Sequence, residues 1–307
     1  MSFIKKLFKN NYRPSIILTW LPRKKKFILK MYTSYESRSL STSKLILESI
    51  TGLILESRRK INFNFYCDDQ PPNSLFNGNF PKLTKEYKLA YTKSNNDAGI
   101  ELIPDFIFWD WPEVGIPSYI DLTSDLIYLS KNKPIYNKLF WIGNISTHKN
   151  REILFNKREE NDLYDFRNTQ WRRQSEDSNK LYSENFISLS DHSKFKYLLD
   201  VEGNGYSGRL KILLHSGRPL FIQDRPYHEY YFQYLKEFIH YIPVKRDFSD
   251  LNEKIIWSEQ NPDKCRIIAQ NALSFAEQHL SRKAAISYIR RLISSIGSNK
   301  FIYRRNR

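Results

Sequence analysis

Between Asp200 and Leu210 the chain reads Val201-Glu202-Gly203-Asn204-Gly205-Tyr206-Ser207-Gly208-Arg209, a G-x-G-x-x-G pattern closed by a cation. Glycines at this spacing let the backbone approach a ligand closely, and successive N–H groups ahead of a helix favour phosphate oxygens. Arg209, on the first helical turn, adds a planar guanidinium suited to clamping a diphosphate through two parallel hydrogen bonds. Two chemistries fit. One is a nucleotide whose diphosphate end lies against Arg209. The other is a dinucleotide, for which an acid about 20 residues on should meet a ribose hydroxyl, and Asp224 stands near that position. A Gly-rich strand–helix turn that holds no ligand is a third reading. The late position of the glycines in the chain, and the cation directly after them, favour the diphosphate end.

A second candidate is a lone acid. Residues 102–109 form an apolar run that ends at Asp110-Trp111-Pro112, where Pro112 biases Trp111 away from helix. A carboxylate at the end of an apolar strand is well placed to face a cleft and take a proton. An Asx turn before Pro112 would use the same side chain structurally. Asp105 and Glu113 are the neighbouring acids. The six histidines show no metal-ligand spacing, and Cys67 and Cys265 stand far apart, so neither a metal site nor a disulfide framework is expected.

These residues need elements to position them. Strand patterns are read at 15–21, 61–67, 139–142, 195–201, 219–223 and 239–244. Helix patterns are read at 151–165, 207–215 with Gly217 closing it, 227–238, 249–258, 262–279 and 282–296. The alternation predicts an α/β fold with a parallel sheet covered on both faces. A Lys/Asn/Pro connection within 121–137 predicts a domain boundary, giving units 1–135 and 136–285 and a basic helix and tail, 286–307. Apolar residues make up 40% of the chain and aromatics 15%, enough for a real core and against global disorder.

The net charge of +16 is concentrated at the ends. Residues 1–35 carry nine Lys/Arg and residues 278–307 carry eight, with no acid in either, which leaves a body of 32 cations against 33 acids. Such ends suit an anionic surface, either lipid headgroups, lipid-linked phosphate or nucleic acid, or else are simply solvated. The run Ser15–Leu21 is too short to span a bilayer, and the basic cluster after it does not resemble a secretory cleavage site.

The stretch from Asp191 to Gly203, the turn through Arg209-Leu210-Lys211, the run Pro219–Ile222 and the segment from His240 to Leu251 together resemble family 90 glycosyltransferases. These comprise the Rumi-type protein O-glucosyltransferases and bacterial lipopolysaccharide- or capsule-modifying relatives. Fainter similarity runs through Phe140–Asn144 to Arg151 and through Phe108–Val114, so that it covers about residues 100–285. The resemblance implies a GT-B architecture, two Rossmann-like domains facing a cleft. It implies a UDP-sugar donor, no obligatory metal, and inversion at the anomeric carbon by in-line attack of an acceptor hydroxyl.

Carried over by position, the base falls on Asp110. The donor contacts fall on Asn204, Gly205, Tyr206, Ser207, Gly208 and Arg209, and on Asn144, where relatives carry Ser. A second arginine falls on Arg151 with one residue inserted, and His148 and Lys149 are its neighbours. Lys245 and Asp247 are expected to shape a turn and cap a helix, His192 and Lys194 to be structural, and Trp171-Arg172-Arg173 to form an acceptor-side or solvated loop. Short 118–138 leaves glucose or xylose open as the donor sugar. With neither a signal peptide nor an ER-retention tail, the resemblance points to a cytoplasmic bacterial enzyme. It would act on a lipid-linked glycan and be peripheral on the inner membrane face through its basic termini, with nucleic acid not expected. The alternatives are a nicotinamide oxidoreductase using the same glycines with Asp224, and a non-catalytic protein that binds phosphorylated glycans or nucleic acid.

Overall fold

The structure, a computed structural model, describes residues 14–32, 36–71, 84–170, 172–173 and 181–298. It forms two compact units, residues 1–106 with 285–307, and residues 107–284. The 121–137 connection lies within the second unit. Trp171 and the basic segments 1–13 and 299–307 lie outside the described residues.

The first unit is built on strands β1 (Ile16–Leu21), β2 (Lys26–Met31), β3 (Lys60–Tyr66), β4 (Thr84–Ala90) and β5 (Ile100–Leu102), in the order β2-β1-β3-β4-β5. β1 pairs antiparallel with both β2 and β3, while β3, β4 and β5 run parallel. The alternation of β1 sends Ile16, Leu18 and Trp20 inward beside Ile61, Phe63 and Phe65. Helix α1 (Glu36–Ile50) brings Leu45 and Ile46 into the buried set. At its C-terminus Arg290 donates to the carbonyls of Ser49 and Thr51 at 3.0 and 2.8 Å, satisfying orphan acceptors where a cation is favoured.

The second unit carries helix α2 (Tyr119–Leu129), strand β6 (Tyr136–Gly143), helix α3 (Lys149–Asn156) and strands β7 (Tyr164–Asn168) and β8 (Phe195–Asp200). There follow helix α4 (Leu210–Leu213), strands β9 (Leu220–Gln223) and β10 (Ile242–Val244), and helices α5 (Leu251–Gln260), α6 (Pro262–His279) and α7 (Arg282–Gly297), the last of which runs on into the residues of the first unit. Its sheet has the order β10-β9-β8-β6-β7 and every pairing is parallel. Strands buried on both faces read as unbroken apolar runs, as in Leu139–Ile142 and Leu220–Ile222. One face packs Leu139, Trp141, Tyr197, Leu199, Phe221 and Ile242 against Leu154, Leu251, Ile255 and Ile268 of the covering helices.

Three predicted helices come out differently. Residues 151–165 divide into α3 and the strand β7, because Tyr164 and Phe166 turn inward at a strand period. The helix at 207–215 shrinks to one α-helical turn. The turn before it closes through Leu210 N–H on the Ser207 carbonyl, and Gly217 at φ 62° ends the segment after it. Residues 227–238 hold no α-helix: Glu229, Tyr230 and Tyr231 are buried in succession, which one helix face cannot do, and only 232–234 turn as a 3-10 helix. The run 102–109 likewise ends in a 3-10 turn at Phe106–Phe108 rather than a strand.

Candidate active site

In chain order the strands of the second unit stand as 5-4-3-1-2. The connections from β6 and β8 therefore leave the sheet on opposite faces, and a crevice opens between their carboxyl ends. Open parallel sheets bind ligands at this switch point. Asn144 and Arg151 follow β6, and residues 201–209 follow β8, so the topology brings both sets to the same crevice.

Arg151 ties the two loops together. Its Nε donates to the Glu202 carbonyl at 2.8 Å and its Nη1 reaches the Asn144 carbonyl at 3.5 Å. Gly143 gives it room, since a Cβ there would lie 3.3 Å from Nη1 and 2.8 Å from the Trp141 ring. The first glycine of the motif serves a tight turn, in which Gly203 N–H donates to the Tyr206 carbonyl at 3.1 Å and a Cβ would lie 3.0 Å from that oxygen. Asn144 accepts from Ser146 N–H at 3.0 Å and caps the short turn after β6. His148, the neighbour of Arg151, caps α3, and Lys149 is exposed.

The loop itself is latched from below. Asp200, fully buried, accepts from the Ser207 hydroxyl at 2.5 Å and from Arg225 Nη2 at 2.6 Å. Arg209 donates through Nη1 to the Ile142 carbonyl at the end of β6. Burial lowers the Arg209 pKa, and the Asp200 carboxylate opposes that shift. His192 shares the buried layer and donates from Nδ1 to the Ser188 carbonyl. Burial, then the charge of Arg209, push its pKa down to about 3, so it stays neutral. Asn204 is exposed, while Gly205, Tyr206 and Ser207 are buried. The N–H groups of Gly205, Ser207, Gly208 and Arg209 donate to no backbone carbonyl in the loop contacts. α4 is one turn long and carries too small a dipole to act as an anion site. What remains for an anion is these N–H groups and the guanidinium groups.

Asp110 belongs to the same unit, and Gly208 shows how near its segment comes. A Cβ on Gly208 would lie 2.5 Å from Ile107 Cδ1 and 3.6 Å from Trp111 Cζ3. Asp110 stands in a stiff frame: Trp111 exchanges backbone hydrogen bonds with Ile116, and Tyr119 N–H donates to the Trp109 carbonyl. Arg282 donates to the Phe108 and Trp109 carbonyls at 2.9 and 2.6 Å and lies 4.5 Å over the Trp109 ring. Glu113 is exposed in the 3-10 turn that follows, and Asp105 is buried in the first unit.

Sequence reasoning missed Arg282, Glu202 and Asp200. Glu202, 2% exposed, accepts from Asn150 Nδ2 at 2.6 Å and from Arg246 Nε at 3.2 Å, with His148 at 3.9 Å. A charged pair of residues straddling the end of an apolar strand is the signal that marks Asp200 and Glu202. Nothing local marks Arg282, which lies more than 170 residues from its partners. Lys245 offers its backbone N–H to Asp250, and Asp247 accepts from Ser249 N–H, so this pair shapes the turn before α5. No cluster of metal-ligating residues occurs among the described residues.

The parallel sheet, with its strand order reversing between β6 and β8, makes this a doubly wound α/β unit. The model of glycosyl transferase family 90 matches residues 8–300, and the chain belongs to that family. Protein O-glucosyltransferase 2 of Danio rerio is 31% identical over 158 residues, covering 51% of this chain and 31% of its own. Human protein O-glucosyltransferase 1 is 26% identical over 206 residues, covering 63% of this chain and 52% of its own. The chain thus spans from about a third to half of the length of these curated relatives. Among solved structures, Anabaena HepE in complex with UDP-glucose aligns at 11% identity and a TM-score of 0.36, over 56% of this chain and 44% of that one.

Proposed function

We propose that the protein transfers a sugar, glucose or a close relative, from UDP to a hydroxyl of a glycan acceptor, with inversion. The observation that carries this reading is the convergence of Arg151, Arg209 and the 203–208 loop at one switch point, with the Asp110 segment against Gly208. Family membership supports sugar transfer, and the relatives' names support glucose. In the reaction the acceptor oxygen bonds to the anomeric carbon while the bond from that carbon to the UDP phosphate oxygen breaks. Asp110 takes the hydroxyl proton, and Arg151, Arg209 and the loop N–H groups hold the charge that develops on the departing UDP. Calorimetric titration tests the donor site. UDP should bind and NAD should not, and Arg209→Ala should weaken UDP roughly 10- to 100-fold, as for the loss of a charge-assisted hydrogen bond. NAD binding, or unchanged UDP affinity in the variant, would remove the assignment.

The acceptor we assign is a lipid-linked glycan of the lipopolysaccharide or capsule type, met at an anionic membrane face. Its support is a cationic surface on the first unit. Arg23 to Lys26 at the β1–β2 turn stand with Arg58, Arg59 and Lys60, all exposed, and Arg23, Lys25 and Arg58 line one open groove with Ile54. Ile54 is 64% exposed, an apolar group among the cations. Gly297 packs on Leu55 of the same groove. No helix among the described residues is long and apolar enough to cross a membrane. Each Lys or Arg near such a surface contributes about 1 kcal/mol, screened by salt. In vesicle sedimentation the protein should bind phosphatidylserine-containing but not neutral vesicles, and Lys24→Glu/Lys25→Glu/Arg58→Glu should release it. Binding that ignores lipid charge, salt and these substitutions would discard this surface.

A further inference from the structure

We propose that Lys211 is a positioning residue that sets the donor loop and the Asp110 segment in register, an inference that rests on the donor-site reading above. Lys211 is 1% exposed, an unusual setting for an ammonium group. Its Nζ donates to the Gly208 carbonyl at 3.0 Å and pairs with Glu229 Oε1 at 2.8 Å. The other Glu229 oxygen, Oε2, accepts from the Tyr231 hydroxyl at 2.8 Å, which fixes the carboxylate. Nζ also lies 5.7 Å from the centre of the Phe108 ring and 5.5 Å from that of Tyr206. One ammonium therefore meets the last glycine of the loop, the aromatic of the loop and the residue two positions before Asp110.

The geometry has a directional consequence. A trans peptide is planar, so its C=O and N–H point opposite ways. Drawing the Gly208 oxygen toward Lys211 turns the Arg209 N–H away from Lys211, and that N–H donates to no backbone carbonyl in the loop contacts. The same ammonium lies over Phe108, whose own carbonyl is held by Arg282. Burying an ion pair brings little net stability over well-packed apolar residues, since desolvation offsets the attraction. An apolar pair of similar volume would fill this space, but it would neither orient the Gly208 peptide nor hold the Phe108 face. The pair is best accounted for by the orientation it imposes.

Three full-length variants test this: Lys211→Met, Lys211→Met/Glu229→Gln and Lys211→Arg. The single Met variant leaves Glu229 buried without its cation and should melt early. The double variant removes both charges and should melt close to wild type. In the double variant we expect UDP affinity down roughly 10-fold and kcat for UDP-sugar turnover down roughly 10- to 100-fold, the scale of a lost charge-assisted hydrogen bond at a reacting site. Lys211→Arg should recover part of both. A double variant that melts like wild type and also matches its UDP affinity and kcat would show a merely structural pair and overturn the inference. Wild-type protein that fails to bind UDP would instead sink the donor-site reading, and this inference with it.

Discussion

Asp110→Asn should lower turnover of UDP-sugar onto an acceptor roughly 10²- to 10⁴-fold while leaving UDP affinity within a factor of about two, because general-base catalysis contributes on that scale. Asn keeps the size of the side chain but cannot take the acceptor proton. Backbone contacts hold the frame on either side: Arg282 holds the carbonyls before it, and the Trp111–Ile116 backbone pair holds the residue after it. Loss of turnover with UDP binding intact therefore reports on chemistry, not on folding. Matched kinetics and calorimetry on one preparation check it. Retained turnover would move the base to Glu113, which is exposed three residues on.

The parts of the fold that were legible in the sequence are those whose burial follows one period. β1 alternates, and α6 carries Cys265, Ile268, Ala269, Ala272, Phe275 and Ala276 on one helical face. The segment 227–238 defeated that logic, since Glu229 is buried against Lys211 and Tyr230 against Phe108 rather than to cover a sheet. The Gly-rich motif was visible, but the role of its glycines was not. Gly203 closes a turn onto the Tyr206 carbonyl, and Gly208 admits Ile107, a partner distant in sequence. A short pattern marks a backbone that something must approach, and the fold decides whether that is a ligand or another side chain.

Asp200→Asn should destabilise the second unit by about 3–5 kcal/mol, the cost of breaking a buried ion pair by removing one partner. Both members lie at or near zero exposure, with Asp200 at 0% and Arg225 at 3%. Arg225 already keeps one buried group, Nη1, without a hydrogen-bond partner, so little is in place to take up a second loss. An amide in place of the carboxylate leaves the guanidinium charge uncompensated beneath β8. At about 2–4 °C per kcal/mol for a unit of this size, the melting temperature should fall roughly 10 °C. Asp200→Asn/Arg225→Met, which removes the stranded charge, should recover much of that fall. UDP affinity should recover only in part, because Ser207 donates to the same carboxylate at 2.5 Å and the amide oxygen that replaces it is a weaker acceptor, so the loop's latch is loosened in both variants. Stability restored without full binding would place Asp200 in the donor site through the loop it holds. Stability and full binding restored together would reduce it to one half of a buried pair.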